Sequence, residues 1–562
     1  MKKKLFILLF LISSLIANAT TYYVSTSGSD GNAGTLASPW GTWQKAFSFP
    51  SAGDIVYIRG GVWHYSGGNG VYVSGRSGTA SNYITVQNYP GEVPILDGSN
   101  ILTTGDHYGI DLENCSYYHI KGLSVQNVKE YGQYVGCPRG EPFTIGDCSH
   151  VIIELCNAHD SGDGFAMGNA CADIHWLNDD GYNNSDYTAE GDYANGFTLT
   201  NYVNTNDSGH GYYIYIDGCR AFNNSDDGFD TYGANGYYYW NNCWAFKNGY
   251  GAGGDGDGFK WGANYGTIDG GIQRVLTNCL SFYNSATGIG FDKSEATVRA
   301  NFYNDVAFHN TGQGFFNDVT DGFADEFKNC ISYANSGGNG VFLTAQVRTY
   351  DSWTISGGNY TVTSADFVTG GLDTTGVSGP RNADGSLPVL PFMHLKATSG
   401  LYHAGVPISG LTKDAANNNY DPTNPSIGAY EVMDGAVVPT VTTTSITGIT
   451  TSGGIGGGNV TSDGGATVTI KGICYSTSQN PTIASSTVND GTGTGSFTST
   501  LTGLTPSTTY YVRAYATNSV GTAYGSQVSF TTGTTPVGTV VFLKSTSGTF
   551  ISTNGGKTFI KH

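Results

Sequence analysis

Between residues 150 and 340 one short phrase returns seven times: CNAHDS, DGYNNS, RAFNNS, WAFKNG, LSFYNS, VAFHNT and ISYANS. The fifth residue of each is Asp160, Asn184, Asn224, Asn248, Asn284, Asn310 and Asn335, at separations of 24, 40, 24, 36, 26 and 25. A period near 24, with insertions of 12 and 16 residues, marks stacked coils with loops bulging from one side. Two residues before the Asn stand Phe222, Phe246, Phe282, Phe308 and Tyr333; five before it stand Cys219, Cys243, Cys279 and Cys330. Equivalent positions of a parallel β-helix stack about 4.8 Å apart. Asn at a corner tolerates a left-handed turn and can chain its amide to the next coil. The pattern predicts an all-β chain, a right-handed parallel β-helix with Phe and Cys columns filling its interior.

The flanks extend this reading. GDIVYIRGGVW (53–63) and NYITVQNYPGEVPILDG (82–98) alternate apolar residues and end in Gly or Pro turns, as short strands do. Coils are expected over residues 20–433, with LPVLPFMHL and PSIGAYEV as the last apolar phrases. After DGAVVP the composition turns to Thr, Ser, Gly and Val, and residues 434–533 read as seven short strands. There the order Leu504, Pro506, Thr508, Tyr510, Ala516, Asn518, Gly521 resembles a fibronectin type III domain, a small β-sandwich, with its tyrosine corner at Tyr510. Residues 534–562 form a short basic tail, a candidate sorting or attachment segment.

The N-terminal MKKKLFILLFLISSLIANA has three lysines, an apolar run and a small-x-small close, so residues 1–19 read as a secretory signal peptide. Export is expected, to the extracellular space or the cell surface, with no membrane span. The 562-residue chain carries 25 Lys and Arg against 44 Asp and Glu; without Lys2, Lys3 and Lys4 the balance is 22 against 44, or −22. That field argues against nucleic acid as a partner and repels acidic polysaccharides unless a bound cation inverts it locally. With 38 Tyr and only 16 Pro beside 83 Gly, the composition fits many short strands and Gly/Asn/Asp turns rather than disorder. Ten cysteines without CxxC pairs are expected to be buried free thiols, and the protein a monomer.

One stretch concentrates charge. In 223-NNSDDGFDTYG-233, Asp226, Asp227 and Asp230 fall within five positions, directly after the corner Asn224. The next coil carries 254-GDGDGFKWG-262, with Lys260 between two aromatics, and the preceding coil 191-GDYANGFTL-199. An acidic Gly-flanked turn can simply be solvated. Three carboxylates also make a hard-oxygen site of the kind that suits Ca²⁺ better than Zn²⁺. A cation there would repel the Lys260 ammonium, lower its pKa and make it a base near neutral pH.

DGFD followed one coil later by GDGxGFKxG, with an AxGF phrase upstream, is similar to polysaccharide lyase family 9. These are parallel β-helix pectate lyases that use Ca²⁺ and a lysine base. The resemblance runs from about Thr21 to Glu431 and is sharpest over 210–262. It implies Asp226, Asp227 and Asp230 as Ca²⁺ ligands, Lys260 as the Brønsted base, and an acidic plant-type polysaccharide (polygalacturonate or rhamnogalacturonan) as substrate. The family's remaining aspartate falls in an ADGF phrase, where this chain has Ala194-Asn195-Gly196-Phe197. Asn195 still offers a carbonyl oxygen, with one negative charge fewer. The implied reaction is β-elimination, which leaves a 4,5-unsaturated uronate.

Two other readings stay open. A pectin-type hydrolase needs separated acid and base carboxylates. The triplet Gly209-His210-Gly211 is similar to glycoside hydrolase family 28, but that family's paired Asp precede the triplet and an Arg-x-Lys follows it, unlike here. A non-catalytic carbohydrate-binding or adhesion protein would make Lys260 dispensable. Among other charged residues, Arg274, Lys293 and Arg299 are candidates for gripping substrate carboxylates or ordinary surface charges. The stretch 27-SGSDGNAG-34 reads as a turn, Asp160 and Asp163 as corner and loop residues, and His159, His175, His210 and His309 as sharing no metal spacing.

Overall fold

Each coil is three short strands joined by turns, because apolar residues alternate over only three to seven positions before a Gly, Asn or Asp breaks the run. The computed structural model describes residues 19–561 apart from 103–104, 130–139, 186–190, 192, 201–211, 235, 262–272, 292–298, 318–324, 343–346, 350, 353–359, 369, 383, 433–436, 535–540, 546–547 and 553–558. Among these, three parallel sheets of 12, 10 and 10 strands make the helix. The first runs from Thr21–Val24 to Val347–Thr349, the second from Gly61–His64 to Ile331–Tyr333, and the third from Asn69–Ser74 to Gly340–Phe342. The chain visits them in turn: Tyr213–Asp217, Arg220–Phe222 and Phe229–Asp230, then Tyr237–Asn241, Trp244–Phe246 and Phe259–Trp261. The all-β, parallel β-helical class expected from the period is the one that forms. Residues 1–18 of the segment 1–19 expected to be a signal peptide lie outside the described residues, and no helix among the described residues is long and apolar enough to cross a membrane.

The corner asparagines chain as the sequence suggests. Nδ2 of Asn184, Asn224, Asn248, Asn284 and Asn310 donates to Oδ1 of the next member at 3.0, 3.0, 2.9, 3.0 and 2.9 Å, ending at Asn335. The same Oδ1 atoms also accept the preceding member's backbone N–H, as in Asn224 to Asn248 at 3.2 Å. Two details differ from the sequence reading. The first coil joins through Ser161, whose N–H donates to Asn184 Oδ1 at 3.2 Å, because strand register pairs Asn157 with Asp180 and so displaces Asp160 by one. The left-handed residue is the one before each ladder member, Asn183, Asn223, Lys247, Tyr283, His309 and Ala334, with φ from 53° to 58°. Four of these six are neither Asn nor Gly, so the ladder overrides a local cost of about 1–2 kcal/mol per residue. Asn248→Ala strands the N–H and one of the two Nδ2 hydrogens of Asn224, the other still reaching Gly181 O. At about 1–3 kcal/mol for each buried orphan donor, the expected loss is about 2–5 kcal/mol in urea unfolding. A loss below about 0.5 kcal/mol, the scale of a bland surface change, would show the ladder to be dispensable.

The cysteine column lies in the interior, and the nine described cysteines are all buried thiols; Cys137 lies outside the described residues. Buried aspartates interrupt the column: Cys279 N–H donates to Asp305 Oδ1 at 2.8 Å, and Cys330 N–H to Asp351 Oδ1 at 2.9 Å. The phenylalanine column is not interior. Ala221, Ala245 and Ala307 belong to the core, so by alternation Phe222, Phe246 and Phe308 point to the outer face of the second sheet. They stack there with Phe282, at 4.8 Å for both Phe222–Phe246 and Phe246–Phe282. Residues after the last coil cover this face: Phe367 packs on Tyr333 at 5.5 Å, and Gly428 lies against Ile331. The interior aromatic column is instead Phe143, Phe165, Phe197, Phe229 and Phe259, stacked at 5.0, 4.8, 4.7 and 4.8 Å. Each such ring adds about 1.5–3 kcal/mol by burial.

The chain divides into two compact units, Met1–Leu372 with Met393–Ala415 and Asn419–Val432, and Asp373–Phe392 with Ala416–Asn418 and Met433–His562. Described coils stop at Val347–Thr349 rather than continuing to residue 433, since the apolar phrases after it form turns and no strands of the three sheets. In the second unit, Thr440–Thr443, Gly454–Ser462 and Gly495–Leu501 make one antiparallel sheet. Ser486–Asn489, Ile470–Ser476, Thr509–Asn518, Gly521–Tyr524 and Val528–Thr531 make another, an arrangement consistent with a β-sandwich. Val541–Ser545, Gly548–Ser552 and Phe559–Lys561 form a further small antiparallel sheet within the tail.

Candidate functional site

The acidic phrase occupies the turn from the second sheet into the third. Phe229 and Phe259 are core residues, so alternation sends their successors Asp230 and Lys260 to the outer face of the third sheet. These two are register partners on adjacent strands, and Thr198 is Asp230's partner on the other side. The glycine before each core Phe is obligatory: a Cβ on Gly228 would lie 2.5 Å from Gly258 O, and one on Gly258 2.5 Å from Gly288 O. The two coils of the site read Asp–Gly–Phe–Asp and Asp–Gly–Phe–Lys, and the residue after each Phe is delivered to one surface column.

A second side-chain ladder runs through the residue before that glycine. Asp163 Oδ1 accepts Asn195 N–H at 3.2 Å, Asn195 Oδ1 accepts Asp227 N–H at 2.9 Å, Asp227 Oδ1 accepts Asp257 N–H at 2.6 Å, and Asp257 Oδ1 accepts Thr287 N–H at 2.6 Å. Asn195 also donates through Nδ2 to Thr198 Oγ1 at 2.9 Å. Asp226 ties the loops on both sides of its coil, accepting Asp255 N–H at 2.6 Å and Tyr193 N–H at 2.9 Å. Asp230 Oδ1 accepts Tyr232 N–H at 2.7 Å. Lys260 Nζ sits 3.0 Å from Asp227 Oδ2 and donates to Asp255 Oδ2 at 2.6 Å. Asp255, Asp257 and the ladder role of Asp163 are not assigned from sequence; the doubled GDGDG is the signal that carries the first two.

Electrostatically the cluster is over-supplied with negative charge. Burial, then the charge of Asp227, pushes the Asp226 carboxyl up to about 8. Burial pushes Asp227 up to about 7 against the pull of Lys260. Asp257 is driven well above the carboxylate range by burial and then by Asp227. Burial of Lys260 disfavours its charge, but Asp227, Asp230, the hydrogen bond to Asp255, and Asp226 outweigh that, so its pKa stands above the usual lysine value. The direction is opposite to the sequence expectation, which placed a cation beside the amine; in the chain alone the carboxylates hold the proton on.

The donor set suits a hard cation in its chemistry. Asp226, Asp227 and Asp230 are within charge–charge reach of one another, and Asp227 Oδ2 is buried without an aligned hydrogen bond. Among the described residues no three His, Cys, Asp or Glu side chains are already gathered around one point as ligands. Both oxygens of Asp226, and Oδ1 of Asp227 and of Asp230, are turned onto backbone N–H groups, each keeping a second lone pair. Asn195 Oδ1 is committed in the same way to Asp227 N–H.

The remaining candidates fall elsewhere. Arg274 is fully buried, donating to Gly236 O and Ala234 O at 2.8 Å each, with its guanidinium over Tyr238, so it is neither a surface charge nor a substrate grip. Arg299 is half-buried; Lys293, His210 and the Gly209-His210-Gly211 triplet lie outside the described residues. Asp30 closes its turn by accepting Gly41 N–H, Thr42 N–H and the Thr42 hydroxyl, just ahead of the helix Trp43–Ser48.

This arrangement of coils has counterparts among known proteins. A family described as "Pel9A-like, right handed beta helix region" matches residues 22–321, more than half of the chain. The chain belongs to this family of right-handed β-helix proteins. It is similar to pectate lyase L of Dickeya dadantii, 27% identical over 443 residues, which are 75% of this chain and 92% of that protein. It is likewise similar to pectate lyase PEL9 of Emericella nidulans, 27% identical over 67% of this chain and 92% of that one. Among solved structures, pectate lyase Pel9A superposes with a TM-score of 0.58 at 24% identity, over 73% of this chain and 96% of that one. A rhamnogalacturonan lyase superposes at 0.56 with 25% identity, over 67% and 97%.

Proposed function

We propose that the chain is a secreted, calcium-dependent polysaccharide lyase that cleaves 4-linked galacturonate-containing polymers by β-elimination. The observation that carries this reading is the in-register pair Asp230–Lys260, with the Lys260 amine held at 3.0 Å from the buried Asp227 carboxylate. The pectate and rhamnogalacturonan lyases among its relatives support the substrate class. Asp226, Asp227 and Asp230 would hold Ca²⁺, with Asn195 Oδ1 beside them. When bound, Ca²⁺ offsets the carboxylate charge and stabilises the negative charge that develops at the substrate carboxylate.

The chain's own residues then do the following. With the acidic cluster compensated, Lys260 loses the field that keeps it protonated, and its neutral Nζ can take the C5 proton of the uronate. Asp255, hydrogen-bonded to Nζ, fixes the direction of the amine lone pair. The Asp163–Asn195–Asp227–Asp257 ladder locks the turns that aim these groups. The electron pair of the broken C5–H bond forms the C4–C5 double bond, and the C4 glycosidic oxygen leaves and is protonated. The C-terminal sandwich is read as fibronectin type III-like, supported by Thr505 N–H donating to Tyr510 Oη at 3.2 Å. Product mass tests the reaction type: elimination yields fragments that have not taken up water, so each cleavage adds nothing to the total mass. Uptake of one water per cleavage would assign a hydrolase instead.

A further inference from the structure

The ladder residue of each coil lies three positions before the residue that the same coil delivers to the outer face of the third sheet: Asp163 before Ala166, Asn195 before Thr198, Asp227 before Asp230, and Asp257 before Lys260. Ala166, Thr198, Asp230 and Lys260 are successive register partners, so Thr198 stands one strand step, about 5 Å, from Asp230. Phe197 and Leu199 are core residues, which turns Thr198 outward, and its exposure of 8% matches the 7% of Lys260. Asp163, Asp227 and Asp257 can only accept hydrogen bonds when ionised. Asn195 is the one of these ladder residues whose side chain also carries a donor.

That donor sets the polarity of the hydroxyl beside Asp230. The orientation of the Asn195 amide is forced, because its Oδ1 accepts Asp227 N–H at 2.9 Å and a flipped amide would set NH₂ against N–H. Nδ2 therefore takes the other side, where it donates to Thr198 Oγ1 at 2.9 Å. This spends one lone pair of the hydroxyl and leaves its proton free; among the described residues no acceptor is hydrogen-bonded to it. An unused donor in so recessed a place is costly until a ligand supplies the acceptor. An aspartate at position 195 would do the reverse: its second oxygen would accept the Thr198 proton, and the hydroxyl would then have only lone pairs to show. A sugar hydroxyl fits either arrangement, since it both donates and accepts, whereas an ionised carboxylate fits only a donor.

We propose that Asn195 aligns Thr198 as a donor to a uronate carboxylate at the Asp230 end of the site, which makes Thr198 a substrate contact and Asn195 its positioning residue. The inference rests on the lyase reading for the substrate, and its measure is binding rather than turnover. The full-length Lys260→Ala chain, saturated with Ca²⁺, is titrated calorimetrically with an oligogalacturonate. Adding Thr198→Val, which keeps the shape and removes the donor, is expected to weaken binding about tenfold or more, the worth of one charge-assisted hydrogen bond, and Thr198→Ser to retain most of it. Asn195→Asp is expected to weaken the same binding strongly when Thr198 is kept and much less when Thr198→Val is also present, because only the first chain has a proton to lose. Ca²⁺ affinity, titrated alone, is expected to be the same with and without Thr198→Val. Unchanged oligogalacturonate binding in Thr198→Val would overturn the proposal, as would no binding of the probe at all. An Asn195→Asp penalty of equal size in both backgrounds would show only the added charge, and a loss of Ca²⁺ affinity in Thr198→Val would make the hydroxyl part of the cation site; either result also overturns it. Should the binding cycle come out as expected while the unsubstituted protein forms no unsaturated product from any polyuronate, the Thr198 assignment stands and the lyase reading falls.

Discussion

Lys260→Ala is expected to keep its circular dichroism in Ca²⁺ and to lose about 10²–10⁴-fold in elimination rate, the worth of a positioned general base. Lys260→Arg separates the two roles this residue can have. A guanidinium can keep the contacts to Asp227 and Asp255, but it stays protonated at ordinary pH and cannot accept the C5 proton. If Lys260 only balances the acidic cluster, the Arg variant works nearly as well as the wild type; if it is the base, both variants fail together. The pH profile follows with a definite sign. The surrounding carboxylates raise the proton affinity of Lys260 in the chain alone, so activity should rise from neutral into alkaline pH as the amine deprotonates. An acid optimum would remove Lys260 from the mechanism.

Chelation is the second large effect. Removing Ca²⁺ should abolish turnover, and adding it back should restore it, because four acids, Asp226, Asp227, Asp230 and Asp257, are then left to repel one another around a protonated lysine. The chelated chain should also show a stability signature. Asp226 and Asp227 have folded-state pKa values raised to about 8 and about 7, above the unfolded carboxylate value. The folded state therefore binds protons more tightly than the unfolded state, and stability is fullest below about pH 4 for these groups and is lost as pH rises through 7–8. The unfolding midpoint of the chelated protein should fall between pH 5 and pH 9, and Ca²⁺ should abolish most of that fall. A midpoint insensitive to both pH and Ca²⁺ would remove the carboxylate cluster as a cation site. Asn195→Asp should tighten Ca²⁺ binding if that side chain faces the ion, and should leave it unchanged if the amide serves only the ladder to Asp227 N–H.

Much of this was legible in the sequence because a β-helix repeats its chemistry. The amide ladder was readable since the same side chain must recur for Nδ2 to meet the next Oδ1. Its start was not, because CNAHDS looks like the other phrases but enters the sheet one residue out of step, which puts Ser161 where Asp160 was expected. The Phe column was assigned to the wrong face for a different reason. In a three-residue strand such as RAF, alternation allows either Ala or Phe to point inward, and a covered outer face, as where Phe367 packs on Tyr333 and Gly428 lies against Ile331, cannot be read from the strand itself. At the site, DGFD and GFK were enough to bring Asp230 and Lys260 together. The roles of Asp255 and Asp257 arise only when coils stack, since each donates a backbone N–H to a carboxylate of the coil before.

The most direct measurement is continuous near-ultraviolet absorbance of purified full-length protein on de-esterified polygalacturonate and on rhamnogalacturonan, at alkaline pH, with and without Ca²⁺. The account predicts a rising absorbance from the 4,5-unsaturated uronate on at least one of these polymers, present only with Ca²⁺ and absent in Lys260→Ala. Reducing ends that accumulate while the absorbance stays flat would contradict it.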